Sequence, residues 1–141
     1  MRDDDHYIGF EEVEHTADNA LRVQGRSLEE LLRNAALGMN RLMVQDVSSI
    51  SIRTQKKVAV EALDSEGLLV EWLGELAYWA ETQMLVFKQF EMKEVTPTNV
   101  RAILFGGKVH ELQKHIKAVT YHNLKIIETE KGLEATVVFD V

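Results

Sequence analysis

The sequence predicts an α+β fold, a single domain in which a mostly antiparallel β-sheet carries two main helices. Short runs of alternating apolar and polar residues recur along the chain, and two longer stretches show the i, i+3, i+4, i+7 spacing of an amphipathic helix. Most neighbouring strand runs are joined by links of hairpin length, which favours antiparallel pairing. The element order reads β-β-α-β(β)-α-β-β-β-β. At 141 residues, one core suffices, since a chain of this size buries roughly two-thirds of its unfolded surface on folding. The domain is expected to span residues 1–141, with the acidic residues 1–6 as a disordered lead-in.

The first strand is expected from Tyr7 to Glu14, and the second, after the polar tetrapeptide His15-Thr16-Ala17-Asp18, from Ala20 to Gly25. Ser27-Leu28-Glu29-Glu30 has a hydroxyl at the N-cap and a glutamate at N3, the pattern of a capping box. The helix it opens carries Leu28, Leu31, Leu32, Ala35, Ala36, Met39, Leu42 and Met43 on one stripe, with Glu29, Arg33, Asn34 and Asn40 off it. Residues 47–62 are rich in β-branched side chains and read as two strands joined by the polar patch Arg53–Lys57, or as one bent strand. Asp64 or Ser65 caps a second, more apolar helix, which is expected to lie across the sheet with Trp72 and Trp79 as core anchors and Glu66, Glu71, Glu75 and Glu81 on its solvent side.

Leu85 to Val95 alternates with a phase change after Gln89, the mark of a bulge. Pro97 then punctuates a turn, and a strand from Val100 is expected to break at Gly106-Gly107. Ile116 to His122 alternates as a further strand, and Glu130-Lys131-Gly132 turns a hairpin into the last one, which ends at Asp140.

Composition removes several classes of function. With no cysteine, disulfides, thiolate zinc sites, iron–sulfur clusters and thiol nucleophiles are excluded, so a metal would need oxygen or histidine ligands. A formal net charge of -7 argues against sequence-independent binding to nucleic acid, which requires clustered lysine and arginine. No segment reaches the roughly 18 apolar residues of a membrane span, and no apolar leader opens the chain. The expectation is a cytoplasmic protein that meets nucleic acid only indirectly, through a protein partner.

Two places carry candidate chemistry. Thr16-x-Asp18 at a turn is commonly a local cap, but the other end of the chain offers a second reading. Asp140 and the α-carboxylate of Val141 place two anions within one residue of each other. If the His15–Asp18 turn joins them, Asp18 adds a third, and like charges about 4 Å apart repel by roughly 4 kcal/mol at the effective dielectric of a protein surface. Such a cluster calls for a cation, a basic side chain or a shared proton. All-oxygen donors select a hard ion, calcium before magnesium, with zinc through His15 as a weaker alternative. Lys117, within a strand pattern, is either an edge protector or a functional group. No nucleophile–base motif, two-histidine spacing or Gly-x-Ser-x-Gly occurs.

Taken together, Glu12-Val13-Glu14-His15-Thr16-Ala17-Asp18, Ser27-Leu28-Glu29-Glu30-Leu31, Ile116-Lys117-Ala118-Val119-Thr120-Tyr121-His122 and the closing Phe139-Asp140-Val141 resemble the archease family over nearly the whole chain. That resemblance implies a small α+β protein without catalytic residues, a cofactor of the GTP-dependent, RtcB-type RNA ligase that joins the exons of cleaved tRNA. The ligase seals a 3′-phosphate or 2′,3′-cyclic phosphate to a 5′-hydroxyl through its own guanylylation. The resemblance implies that this chain promotes guanylylation and multiple turnover, that Asp18, Asp140 and the terminal carboxylate of Val141 hold calcium, and that Lys117 is a functional group; Lys117 and His15 are the candidate contacts to a partner or phosphate. Asn19 departs from the family's usual aliphatic residue, and Gly106-Gly107 from its common Gly-Glu. A metal-dependent phosphoester or nucleotide hydrolase, or a chaperone-like adaptor for other RNA-modifying enzymes, remains the alternative.

Overall fold

The computed structural model describes residues 9–13 and 19–141; the expected lead-in, His15 and Asp18 lie outside the described residues. Among the described residues, eight strands and two α-helices follow in order: β1 Phe10–Val13, β2 Asn19–Gly25, α1 Leu28–Met43, β3 Thr54–Glu61, α2 Ser65–Gln83, β4 Leu85–Thr96, β5 Asn99–Lys108, β6 Ala118–Thr120, β7 Ile127–Thr129 and β8 Gly132–Asp140. The α+β class holds, and every strand pairing is antiparallel.

The strands divide between two sheets rather than forming one. The first runs β1-β2-β8, with β6 and β7 sharing the far edge of β8; the second runs β3-β5-β4. Hairpin-length links suggest a single meander, but α1 stands between β2 and β3. Strand β2 pairs instead with β8, more than a hundred residues away, in a register from Asn19↔Phe139 to Gly25↔Leu133. Helix α1 packs on β2 and β1 and also reaches β4, while α2 covers β4, β3 and β5 and touches β6. The core therefore lies where both helices meet both sheets.

Local chemistry explains both helix starts. Ser27 accepts the Glu30 N–H at 3.2 Å, and the Glu30 carboxylate accepts the Arg26 N–H at 2.9 Å, so the two side chains satisfy donors at the opening of α1. Asp64, rather than Ser65, caps α2, accepting the Gly67 N–H at 2.7 Å. The apolar stripe of α1 is buried from Leu31 onward, with Leu28 half-buried and two additions, Gly38 and Asn40; the latter donates from Nδ2 to Phe87 O at 2.7 Å. That bond falls where β4 slips register against β5 between Phe87 and Gln89. A buried amide is tolerated because it holds an irregular strand.

Trp72 is a core anchor, fully buried, with Nε1 donating to Leu32 O of α1 at 2.8 Å. Trp79 is only half-buried; its Nε1 donates to Glu75, and Lys56 Nζ lies 4.8 Å from its ring centre. Two of the expected solvent-side glutamates are thus structural, Glu75 here and Glu66, which accepts the Ile126 N–H at 2.9 Å.

Two further departures concern residues 47–57 and the glycine pair. Residues 47–49 form a 3-10 turn, and the patch Arg53–Lys57 runs into a single strand, β3, instead of joining two. Gly106-Gly107 is not a break but part of β5. A Cβ on Gly106 would stand 2.0 Å from Val86 O and 2.6 Å from Phe87 Cα, because the bulged end of β4 crosses there at backbone contact. Gly106→Ala is accordingly expected to destabilise the fold by about 1–3 kcal/mol, an overpacking cost with only backbone to yield. The check is a urea midpoint; an unchanged midpoint would mean that β4 moves away freely.

A candidate acidic site at the end of strand β8

Strand β8 is flanked on one edge by β2 and on the other, at its C-terminal end, by β6, through Ala118↔Asp140, Val119↔Phe139 and Thr120↔Val138. One residue before β6, the Lys117 N–H donates to Asp140 O at 2.8 Å. Sequence alternation over Ile116–His122 suggests a strand of seven residues, yet only three pair. The chain leaves the sheet at Tyr121, where Leu124 N–H returns to Tyr121 O at 3.0 Å and Asn123 takes a left-handed conformation, φ 51°. Asparagine is among the few non-glycine residues that adopt it readily, and it was the available signal for the turn.

The structure brings three of the candidate residues together. Asp140, Val141 and Lys117 are all exposed and adjoin one another at the strand's end. Among the described residues, the Lys117 side chain makes no ion pair. On the opposite edge, Asn19 pairs with Phe139. Asp18 immediately precedes Asn19 in the chain, but it and His15 fall outside the described residues. No group of three or more histidine or acidic side chains gathers among the described residues.

Two residues that sequence reasoning did not single out shape this end. Thr120 Oγ1 donates to Val138 O at 3.0 Å and accepts the His122 N–H at 3.3 Å, fastening the exit of β6 to β8. Tyr121, more than half exposed, reaches toward the start of α2. A cleft of about 550 Å³ lined by residues such as Asp46, Arg53, Lys108, His110 and Glu111 contains none of the candidate residues. Lys117, Asp140 and Val141 lie instead on the exposed surface.

A small α+β protein with two antiparallel sheets, one of whose strands ends in an exposed aspartate, is the class these features define. The chain belongs to the archease family: the model of the Archease protein family (MTH1598/TM1083) matches residues 10–141. Protein archease of Methanosarcina mazei is 36% identical over 140 residues, covering 94% of this chain and 95% of that one. Protein archease of Saccharolobus islandicus is 36% identical over 137 residues, with 94% and 98% covered. The solution structure of Methanobacterium thermoautotrophicum protein 1598 superposes with a TM-score of 0.78 at 29% identity, over 96% of this chain and 100% of that one. The crystal structure of a Thermotoga maritima archease, titled a possible chaperone, shares the fold with a TM-score of 0.66 at 24% identity, over 92% and 94% of the two chains. No helix of the described residues is long and apolar enough to cross a membrane.

Proposed function

We propose that this chain is a non-catalytic activator of a GTP-dependent RNA-splicing ligase, promoting guanylylation of the ligase and multiple turnover in tRNA splicing. The observation that carries the reading is the exposed end of β8, where the backbone of Lys117 is hydrogen-bonded to that of Asp140 in an archease-family chain. In this reading the protein acts in the cytoplasm and meets RNA only through the ligase. An anionic tip suits the mouth of an enzyme that binds RNA, since such a mouth must be basic. Lys117 contacts a phosphate oxygen or a partner carboxylate, as a flexible point charge can, and Thr120 keeps the strand beneath it from fraying.

The donors at this tip fit a hard divalent cation. Asp140 and the main-chain carboxyl of Val141 offer only oxygen and stand exposed. Asp18 is one peptide bond from Asn19, which pairs with the residue before Asp140. Asp18, Asp140 and, where the chain ends at Val141, its α-carboxylate would hold calcium, with magnesium as the alternative; His15 would hydrogen-bond a ligand carboxylate. When bound, the ion supplies positive charge for phosphate oxygens. An ion held only by the native state stabilises it by about 2.7 kcal/mol at a hundred times its Kd. Calcium is therefore expected to raise the melting temperature, and a C-terminal extension to remove the rise. Identical melts in calcium, magnesium and chelator would contradict the metal assignment.

Ligation of a cleaved tRNA with excess substrate tests the function itself. The ligase is expected to stall near one product per enzyme alone and to continue when this chain is added. An unchanged yield, or nucleotide hydrolysis by the isolated chain lost in Asp18→Ala, would turn the reading toward the adaptor or the hydrolase.

A further inference from the structure

Leu63 is 99% exposed on the link between β3 and α2. Single exposed leucines are ordinary on protein surfaces, but this one is held out by neighbours that are pinned. The Ala62 N–H donates to Thr98 O at 3.0 Å, Asp64 caps α2, and Ser65 Oγ donates to Pro97 O at 3.2 Å. The link is ordered before any partner arrives, so little ordering entropy is left to lose on binding. Tyr121 lies near the same link, across Gly67. The point that a Cβ on Gly67 would occupy lies 3.3 Å from Ala62 Cβ and 3.8 Å from Tyr121 Oη, and Tyr121 is 58% exposed. Tyr121 directly follows β6, whose other end holds Lys117 against Asp140. At about 3.3 Å per strand residue, the apolar patch begins roughly 10 Å from the acidic tip.

Charge selects the occupant. Glu61 and Asp64, both exposed, flank Leu63, and Glu66 lies in the first turn of α2. A second copy of this chain would bring those carboxylates against their own kind, whereas an apolar pocket with a basic rim complements them. We infer that Leu63, backed by Tyr121, is the anchor that seats this chain in a basic-rimmed apolar pocket on the RNA-splicing ligase, beside the mouth that the Asp140 tip faces. The inference rests on the ligase reading above. It divides the labour of one surface: the leucine supplies affinity, as buried anchors do, and the tip supplies activation.

The test is the affinity of the full chain for the cognate ligase by calorimetric titration, comparing wild type with Leu63→Asp and Leu63→Met. Leu63→Asp is expected to raise Kd at least about tenfold while Leu63→Met stays within about twofold, and Tyr121→Ala to weaken binding in the same direction. Because Leu63 touches nothing in the free protein, all three sizes of effect should appear without a matching change in the Leu63 variants' melting temperatures. A Leu63→Asp chain that binds like wild type overturns the inference while leaving the ligase reading intact. A wild-type chain that neither binds nor stimulates the ligase overturns both. Self-association lost in Leu63→Asp, with ligase binding kept, would assign the patch to a second copy instead.

Discussion

Asp140→Ala is expected to lower stimulated multiple-turnover ligation at least about tenfold, the smaller end of what losing a metal-site group or its support typically costs, while the protein folds normally. The side chain is exposed at the end of β8, and the bond it leaves in place, Lys117 N–H to Asp140 O, belongs to the backbone. An exposed substitution of this kind changes stability by no more than about 0.5 kcal/mol. The calcium-dependent rise in melting temperature should vanish with the carboxylate. Lys117→Ala separates the two roles of the tip: stimulation falls while the calcium response survives, because the ammonium repels a cation rather than holding it. Steady-state ligation beside thermal melts with and without calcium checks both variants. Full stimulation by Asp140→Ala would remove the tip from the mechanism.

Trp72→Ala should produce the largest loss of stability of any single substitution considered, about 3–5 kcal/mol. The indole is fully buried, meets Phe90 edge-on with ring centres 5.8 Å apart, and donates to Leu32 O at 2.8 Å. It thereby joins α2 to α1 and to the second sheet at one point. Against a typical total of roughly 5–15 kcal/mol for a domain, that loss leaves a partly unfolded population at physiological temperature. Trp72→Phe retains most of the apolar area but gives up the hydrogen bond, and is expected to cost less. Urea denaturation decides the matter, and a loss below about 1.5 kcal/mol for the alanine variant would mean that the helices close over the cavity.

Features set by neighbours in sequence were legible from the residues. Ser27 and Asp64 announce both helix starts, the leucine stripe of α1 is the buried face, and the β4 bulge shows as a change of phase. Features set by distant partners were not. Which strands share a sheet depends on β2 finding β8, and no local pattern records that choice. Gly106-Gly107 looks like a turn because a glycine pair signals backbone freedom, but here it meets a backbone crossing from β4. Strand β7 has three exposed residues and too little alternation to declare itself. Asn40 sits off the helical stripe and is nonetheless buried, because the carbonyl it satisfies belongs to a strand 47 residues on.

The candidate site divides the same way. The closeness of Asp140 and Val141 is a matter of covalent chemistry, and Lys117 drew notice through its place in a strand pattern and through the family resemblance. The backbone bond that sets Lys117 beside Asp140 follows from the pairing of β6 with β8, and Thr120's role as a fastener appears only once that pairing is known. Leu63 offered no signal at all in sequence. One leucine between an alanine and an aspartate before a helix reads as buried until the two hydrogen-bonded flanks show that it points outward.

The measurement closest to the central claim is covalent guanylylation of the ligase itself, followed with labelled GTP after a first round of ligation, with and without this chain. The chain is expected to return most of the ligase to the guanylylated form, and Asp140→Ala to leave it unlabelled. Equal labelling with and without the chain would contradict the claim.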